Sequence, residues 1–217
     1  MPRPARGQHG GDGVVSGRRS AKRKDRHWKV VAERKLLARP PFLVVSAQTV
    51  ELPDGRRIRD YYQLGMPDFV CIYATTEDGR LLMLRSYRHG PRKVCFNFPG
   101  GGVDDGETPA RAARRELLEE TGFKATRWRS LGSFVTNSNQ RCQVAHFFRA
   151  GGCRRVAGAD SGDLEDSEIV LMKSTKARLI LDRGDFASLS HAALFALAAL
   201  GDREAISRAE RSRARRA

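Results

Sequence analysis

"GGGVDDGETPARAARRELLEETGF", residues 100 to 123, decides how the rest of the chain is read. The 217-residue chain carries a formal charge of +15, yet this stretch gathers Asp104, Asp105, Glu107, Glu116, Glu119 and Glu120. Thr108 followed by Pro109 is a helix start, since a threonine side chain caps orphan N–H groups and proline is tolerated at the first helical position. Gly122 is a natural stop, because glycine accepts the left-handed conformation that ends many helices. The spacing therefore predicts a helix between them, with Ala110, Ala113, Leu117 and Thr121 laid against a sheet.

Glu116, Glu119 and Glu120 stand at i, i+3 and i+4, so their carboxylates share one face of that helix. Such a cluster is either a solvated acidic face or a cation site. Arg115 is placed to pair with Glu119 across one turn, and Gly100-Gly101-Gly102 lets backbone carbonyls approach the same spot. Clustered hard oxygen donors suit Mg²⁺ or Mn²⁺, which offset the mutual repulsion and keep positions for phosphate oxygens.

Before this helix, "FLVVSAQTVELPDGRRIRDYYQL" (42–64) reads as an antiparallel hairpin turning at Pro53-Asp54-Gly55. Residues 69–75 and 80–88 form a second hairpin around Glu77-Asp78-Gly79, and 93–98 add a short strand. After the helix, 126–135 and 142–150 read as strands joined by "TNSNQR". Residues 151–166 then read as a loop and 167–172 as a strand, followed by two helical patterns, "TKARLILDRG" and "SLSHAALFALAAL". Strands and helices mix without regular β-α-β alternation, so the fold class is α+β.

Charge divides the chain further. Residues 1–29 carry +7 and residues 203–217 carry +4, leaving +4 for the 173 residues between. Both ends offer little apolar surface and read as a disordered basic leader and a disordered basic tail. Between them lie an N-terminal β subdomain (30–64), which could serve dimerisation, and the main domain (65–202). The tails are either solvated or a grip on RNA, and only Trp28 is near enough to support base stacking. The longest apolar run, 189–200, contains His191 and is too short to span a membrane. With no apolar stretch at the N-terminus of a secretory kind, a cytoplasmic location is expected. Cys71, Cys95, Cys142 and Cys153 lack metal-ligand spacing and read as small buried hydrophobes, and His89 and His146 read as structural.

Residues 101–123 resemble the signature of the Nudix hydrolases, G-x5-E-x7-R-E-U-x-E-E-x-G-U with U a bulky apolar residue. Gly101, Glu107, Arg115, Glu116, Leu117, Glu119, Glu120, Gly122 and Phe123 match every fixed position. At ordinary residue frequencies seven such identities recur by chance roughly once in a hundred million starting points. The resemblance implies an α/β/α sandwich with a mixed sheet and hydrolysis of a nucleoside diphosphate linked to another group. It implies that Glu116, Glu119, Glu120 and the Gly100 carbonyl bind Mg²⁺ or Mn²⁺. Gly101, Glu107, Arg115 and Gly122 would brace the loop and helix.

A wider similarity over 42–200 is to the ADP-ribose pyrophosphatase branch, through "LPDG", "SYRHG" (86–90) and "DLEDSE" (163–168). It implies a nucleotide-sugar substrate, ADP-ribose above all, and a loop glutamate as general base, Glu165 first and Glu168 second. The chain departs from that branch at Asn97-Phe98-Pro99-Gly100, where the branch carries Glu and then Leu-Pro-Ala-Gly. Arg85 and Arg88 are phosphate-clamp candidates, since guanidinium matches phosphate bidentately, though alternation on a half-exposed strand explains them as well. Two other readings stay open: an RNA-cap or oxidised-nucleotide hydrolase using the basic tails, and a non-catalytic nucleotide-binding module.

Overall fold

The computed structural model describes residues 26–160 and 167–214, with side chains described as far as Gly201. Among the described residues, ten strands and three helices follow one another. They are β1 (Lys29–Arg39), β2 (Leu43–Glu51), β3 (Arg57–Gly65), β4 (Phe69–Thr76), β5 (Leu81–Arg88), β6 (Lys93–Asn97), α1 (Pro109–Thr121), β7 (Phe123–Lys124), β8 (Arg127–Asn137), β9 (Arg141–Arg155), β10 (Glu168–Met172), α2 (Ser174–Asp182) and α3 (Leu189–Ala214). The sheet runs β1-β2-β3-β9-β4-β5-β10, with β6 on β5 and with β7 and β8 on β9. It is mixed, because β9 lies parallel to β3 and β4 while the other pairs are antiparallel.

Successive side chains of a strand face opposite ways, and β4 uses both faces. Val70, Ile72 and Ala74 join Leu82 in packing against Ala112, Ala113 and Leu117 of α1. Cys71 and Tyr73 join Leu81 and Met83 in packing against Ala177 and Ile180 of α2 and Leu194, Phe195 and Ala198 of α3. Two apolar layers on one sheet make the expected α/β/α sandwich. The β2–β3 hairpin turns where Pro53-Asp54-Gly55 predicts, closed by the Leu52 N–H on Arg56 O at 2.8 Å.

Four local expectations give way. Ala110 is exposed and Ala112 is buried in its place, so the apolar stripe of α1 is rotated by about half a turn at its start. β9 runs on to Arg155 through the expected loop at Gly151, because a bulge at Gly152 between the Thr75 and Thr76 pairings absorbs one residue and lets the strand continue. β1 adds a strand ahead of the hairpin, pairing Lys29 with Glu51 through Arg39 with Leu43. α3 continues to Ala214, where an unstructured tail is expected from 203; the segment is rich in Ala, Arg and Glu, which are strong helix formers.

One detail of the sheet builds the site. β4 and β5 pair only at Ala74–Leu82 and Thr75–Leu81, then part. Residues 99–103 fill the gap: Pro99 O accepts from Ile72 N–H, Gly101 O accepts from Val70 N–H, and Val103 N–H donates to Asp68 O, each at 2.9 Å. The glycine loop is thus an extension of the sheet, laid directly beneath α1.

Candidate active site

α1 is capped as its sequence requires. The Thr108 hydroxyl accepts from Arg111 N–H, Pro109 opens the helix, and Gly122 closes it at φ +72° with its N–H on Leu118 O at 2.7 Å. A side chain at Gly122 would overlap Ala157 O. At the other end, Gly100 has φ +154°, and a Cβ there would overlap Val70 O and stand 2.9 Å from Val70 C. A Cβ on Gly101 would lie 2.5 Å from Glu116 Oε1. At Gly100 the loop therefore meets β4 at a distance that only glycine permits, while at Gly101 it lies against the end of the Glu116 side chain.

Within that contact, Glu120 is buried and its Oε2 accepts from Gly100 N–H at 2.6 Å. Arg115 is the hub of the remaining carboxylates. It forks onto Glu107, with Nη2 to Oε2 at 2.8 Å and Nε to Oε1 at 3.3 Å, and its Nη2 also reaches Gly102 O at 3.0 Å. Its Nη1 bridges Glu116 at 2.7 Å and Glu119 at 3.1 Å. These bonds, first of all those to Glu107, raise the guanidinium pKa further. The same fork holds the Glu107 carboxyl below its ordinary value. Three glutamates around one guanidinium, with Glu120 on the Gly100 N–H beside them, leave surplus negative charge.

The donor set is oxygen throughout and fits a hard divalent cation. Among the described residues no three acids converge on one point as they stand, because Arg115 holds Glu116 and Glu119 while Gly100 holds Glu120. A cation would take Glu116 and Glu119 from Nη1, leaving Nε and Nη2 on Glu107 and Gly102 O.

A NUDIX domain model matches residues 66–187, over half of the chain. The chain belongs to the Nudix family. Among its relatives, an ADP-ribose pyrophosphatase of Bacillus subtilis (strain 168) is 30% identical over 103 residues, covering 48% of this chain and 55% of that protein. An RNA pyrophosphohydrolase of Bartonella bacilliformis (strain ATCC 35685 / KC583 / Herrer 020/F12,63) is 47% identical over 47 residues, covering 22% of this chain and 28% of the relative. The chain thus spans about half of the first of these and less of the second. A crystal structure of an ADP compounds hydrolase superposes with a TM-score of 0.70 at 22% identity, over 82% of this chain and 95% of the other, and agrees in fold.

Other residues singled out in the sequence of this Nudix domain are dispersed. Glu165 lies outside the described residues. Glu168 is paired with Arg85 at 3.3 Å, across the β10–β5 register. Arg85 stands two residues from Met83 and Glu168 two residues from Val170, both of the α2–α3 layer, so the pair shares that face of its strands. Arg88 ends β5, partly buried and within electrostatic reach of His191 of α3. His146 meets the Ser133 hydroxyl at 2.8 Å and His89 meets the Tyr87 hydroxyl at 3.4 Å. The four cysteines are free thiols. Burial, and then the charge of Glu120, pushes the Cys71 thiol up to about 12, which removes it as a nucleophile.

His191 was legible only as an interruption in an apolar helix. In the fold its Nδ1 accepts the Phe98 N–H at 3.2 Å, two residues ahead of Gly100. A groove of about 710 Å³ between α3 and the β8–β9 hairpin is lined in part by Phe69, which bridges to Gly102 of the glycine loop. No helix among the described residues is long and apolar enough to cross a membrane.

Proposed function

We propose that the chain hydrolyses the pyrophosphate bond of a nucleoside diphosphate linked to a second group, ADP-ribose or another nucleotide sugar, with Mg²⁺ or Mn²⁺ as the required ion. The observation that carries this reading is the carboxylate set of α1 pressed on the glycine loop, with Glu120 seated on the Gly100 N–H. The name of the Bacillus subtilis relative supports the choice of substrate. Glu116, Glu119, Glu120 and the Gly100 carbonyl are the proposed ligands.

When bound, a divalent ion supplies Lewis-acid polarisation of the phosphoryl oxygens and offsets the negative charge that builds on them. Arg115 and Glu107 keep the loop and helix in register while the other carboxylates exchange partners. Arg88, at the end of β5, is the proposed phosphate clamp, with Arg85 second because Glu168 engages it. Glu165 is the proposed general base that takes the proton of the attacking water, with Glu168 second. A second copy of the chain is the proposed partner, seated on the N-terminal strands, where β1 is exposed along its whole length and Val30, Phe42 and Tyr62 stand clear of the core. A cytoplasmic location belongs to the same proposal.

Incubating purified protein with Mg²⁺ and ADP-ribose should release AMP, and Glu120→Gln should lower kcat on the order of 100-fold. Absence of turnover on every dinucleotide, nucleotide sugar and capped RNA tried, or full activity of the variant, refutes the reading.

A further inference from the structure

The backbone that leads into the glycine loop is pinned group by group. Pro99 O and Gly101 O are held by β4, and Gly100 N–H is held by Glu120 of α1. Phe98 N–H, at a residue that is 1% exposed, is held from the opposite layer by Nδ1 of His191, the third residue of α3. The Phe98 ring is stacked on Phe186 with centroids 5.6 Å apart and leans on Tyr73 at 5.5 Å, so the residue has no freedom to seek another acceptor. Accepting that hydrogen bond requires Nδ1 to be bare and Nε2 to carry the hydrogen. Burial lowers the His191 pKa to about 4, which keeps the ring in that neutral form.

A histidine that merely packed in the apolar layer would have no need of an acceptor aimed at the main chain. We infer that His191 is a positioning residue for the reaction: through Phe98 N–H it fixes the segment Phe98–Pro99–Gly100, and with it the height of the Gly100 carbonyl against Glu120. The α2–α3 layer thereby takes part in shaping a metal site that lies on the far side of the sheet. This rests on the metal-dependent reading proposed above.

The test compares two polar substitutions in the full chain. His191→Asn puts an acceptor where Nδ1 stands, whereas His191→Gln moves it outward to the place of Nε2. Mn²⁺ binding without substrate, followed by electron paramagnetic resonance, and steady-state turnover of ADP-ribose are measured on both. His191→Asn should stay within about threefold of wild type on both readouts. His191→Gln should bind Mn²⁺ about tenfold more weakly and lose about tenfold in kcat, with KM for the nucleotide held within about twofold, the size expected when a group supporting a metal ligand is displaced. Should His191→Gln fail to fold, His191→Met, which fills the space without a strong acceptor, serves in its place. Variants that lose melting temperature but keep wild-type Mn²⁺ affinity, or an Asn variant no better than the Gln or Met one, overturn the inference. If wild-type protein neither binds Mn²⁺ nor hydrolyses a nucleotide, the functional reading itself falls and this one with it.

Discussion

Three consecutive glycines should respond to alanine in three different ways. At Gly100 the added Cβ overlaps Val70 O and sits 3.0 Å from Cys71 Cα, in a central strand whose residues 70 and 71 are 0% and 2% exposed. The strand cannot yield without disturbing both layers, and φ of +154° is itself strained for an L side chain. Overpacking of about 1–3 kcal/mol and backbone strain of about 1–3 kcal/mol together suggest a loss near 4 kcal/mol. For a chain of this length that is a fall of roughly 8–16 °C in Tm. At Gly101 the new Cβ meets only the end of the Glu116 side chain, 2.5–2.6 Å away, which can swing aside. Gly101→Ala should therefore cost under about 1 kcal/mol in stability yet lower kcat by about tenfold or more, because a proposed ligand is displaced. At Gly102 a Cβ meets nothing within 4 Å, so Gly102→Ala should change stability by less than about 0.5 kcal/mol and leave turnover alone. Thermal melts alongside ADP-ribose turnover at saturating Mg²⁺ read all three. A stable Gly100→Ala protein, a fully active Gly101→Ala protein, or a damaged Gly102→Ala protein would refute the reasoning.

Further expectations follow from Arg115 and from the thiols. Arg115→Lys loses the fork onto Glu107 and the bridge between Glu116 and Glu119, and should destabilise by about 2 kcal/mol, read by chemical denaturation; an unchanged midpoint counts against the hub. Arg115 holds Glu107 below its usual 4.5, so this contribution is complete above that pH and lost as pH falls beneath it. The difference in Tm between wild type and Glu107→Gln should accordingly be constant from neutral pH down to 4.5 and shrink below it; a difference that grows in acid has the wrong sign. Cys71, Cys95 and Cys153 are buried and Cys142 is partly exposed, so a disulfide reagent at mild alkaline pH should titrate one thiol quickly in native protein and four after denaturation. Rapid modification of Cys142→Ser protein would contradict that burial.

The helix from Pro109 to Thr121 and its two caps were readable because capping is local: a threonine, a proline and a glycine at set distances meet the needs of backbone groups within one turn. The hairpin turns were readable for the same reason. The continuation of β9 past Gly151 was not, since it depends on Gly152 bulging opposite Thr75 and Thr76, residues far away in the chain. The extent of α3 follows from the helix propensity of Ala, Arg and Glu, which outweighs the like charge gathered at its end. The choice between Ala110 and Ala112 needed the direction from which the sheet approaches.

The sequence alone determined the chemistry available: which carboxylates share a helical face, which glycines flank them, and hence which family the chain joins. Those are short-range facts, set by the 3.6-residue turn and by residue type. Only the tertiary structure decided where the charges are spent, with Arg115 drawing in Glu107, Glu116 and Glu119, Glu120 taking the Gly100 N–H, and Arg85 and Glu168 paired on the other face. It alone also brought His191 to Phe98, 93 residues apart. Which side of a sheet a residue occupies, and who waits there, follows from how strands are paired and layers stacked, and no spacing along the chain encodes that directly.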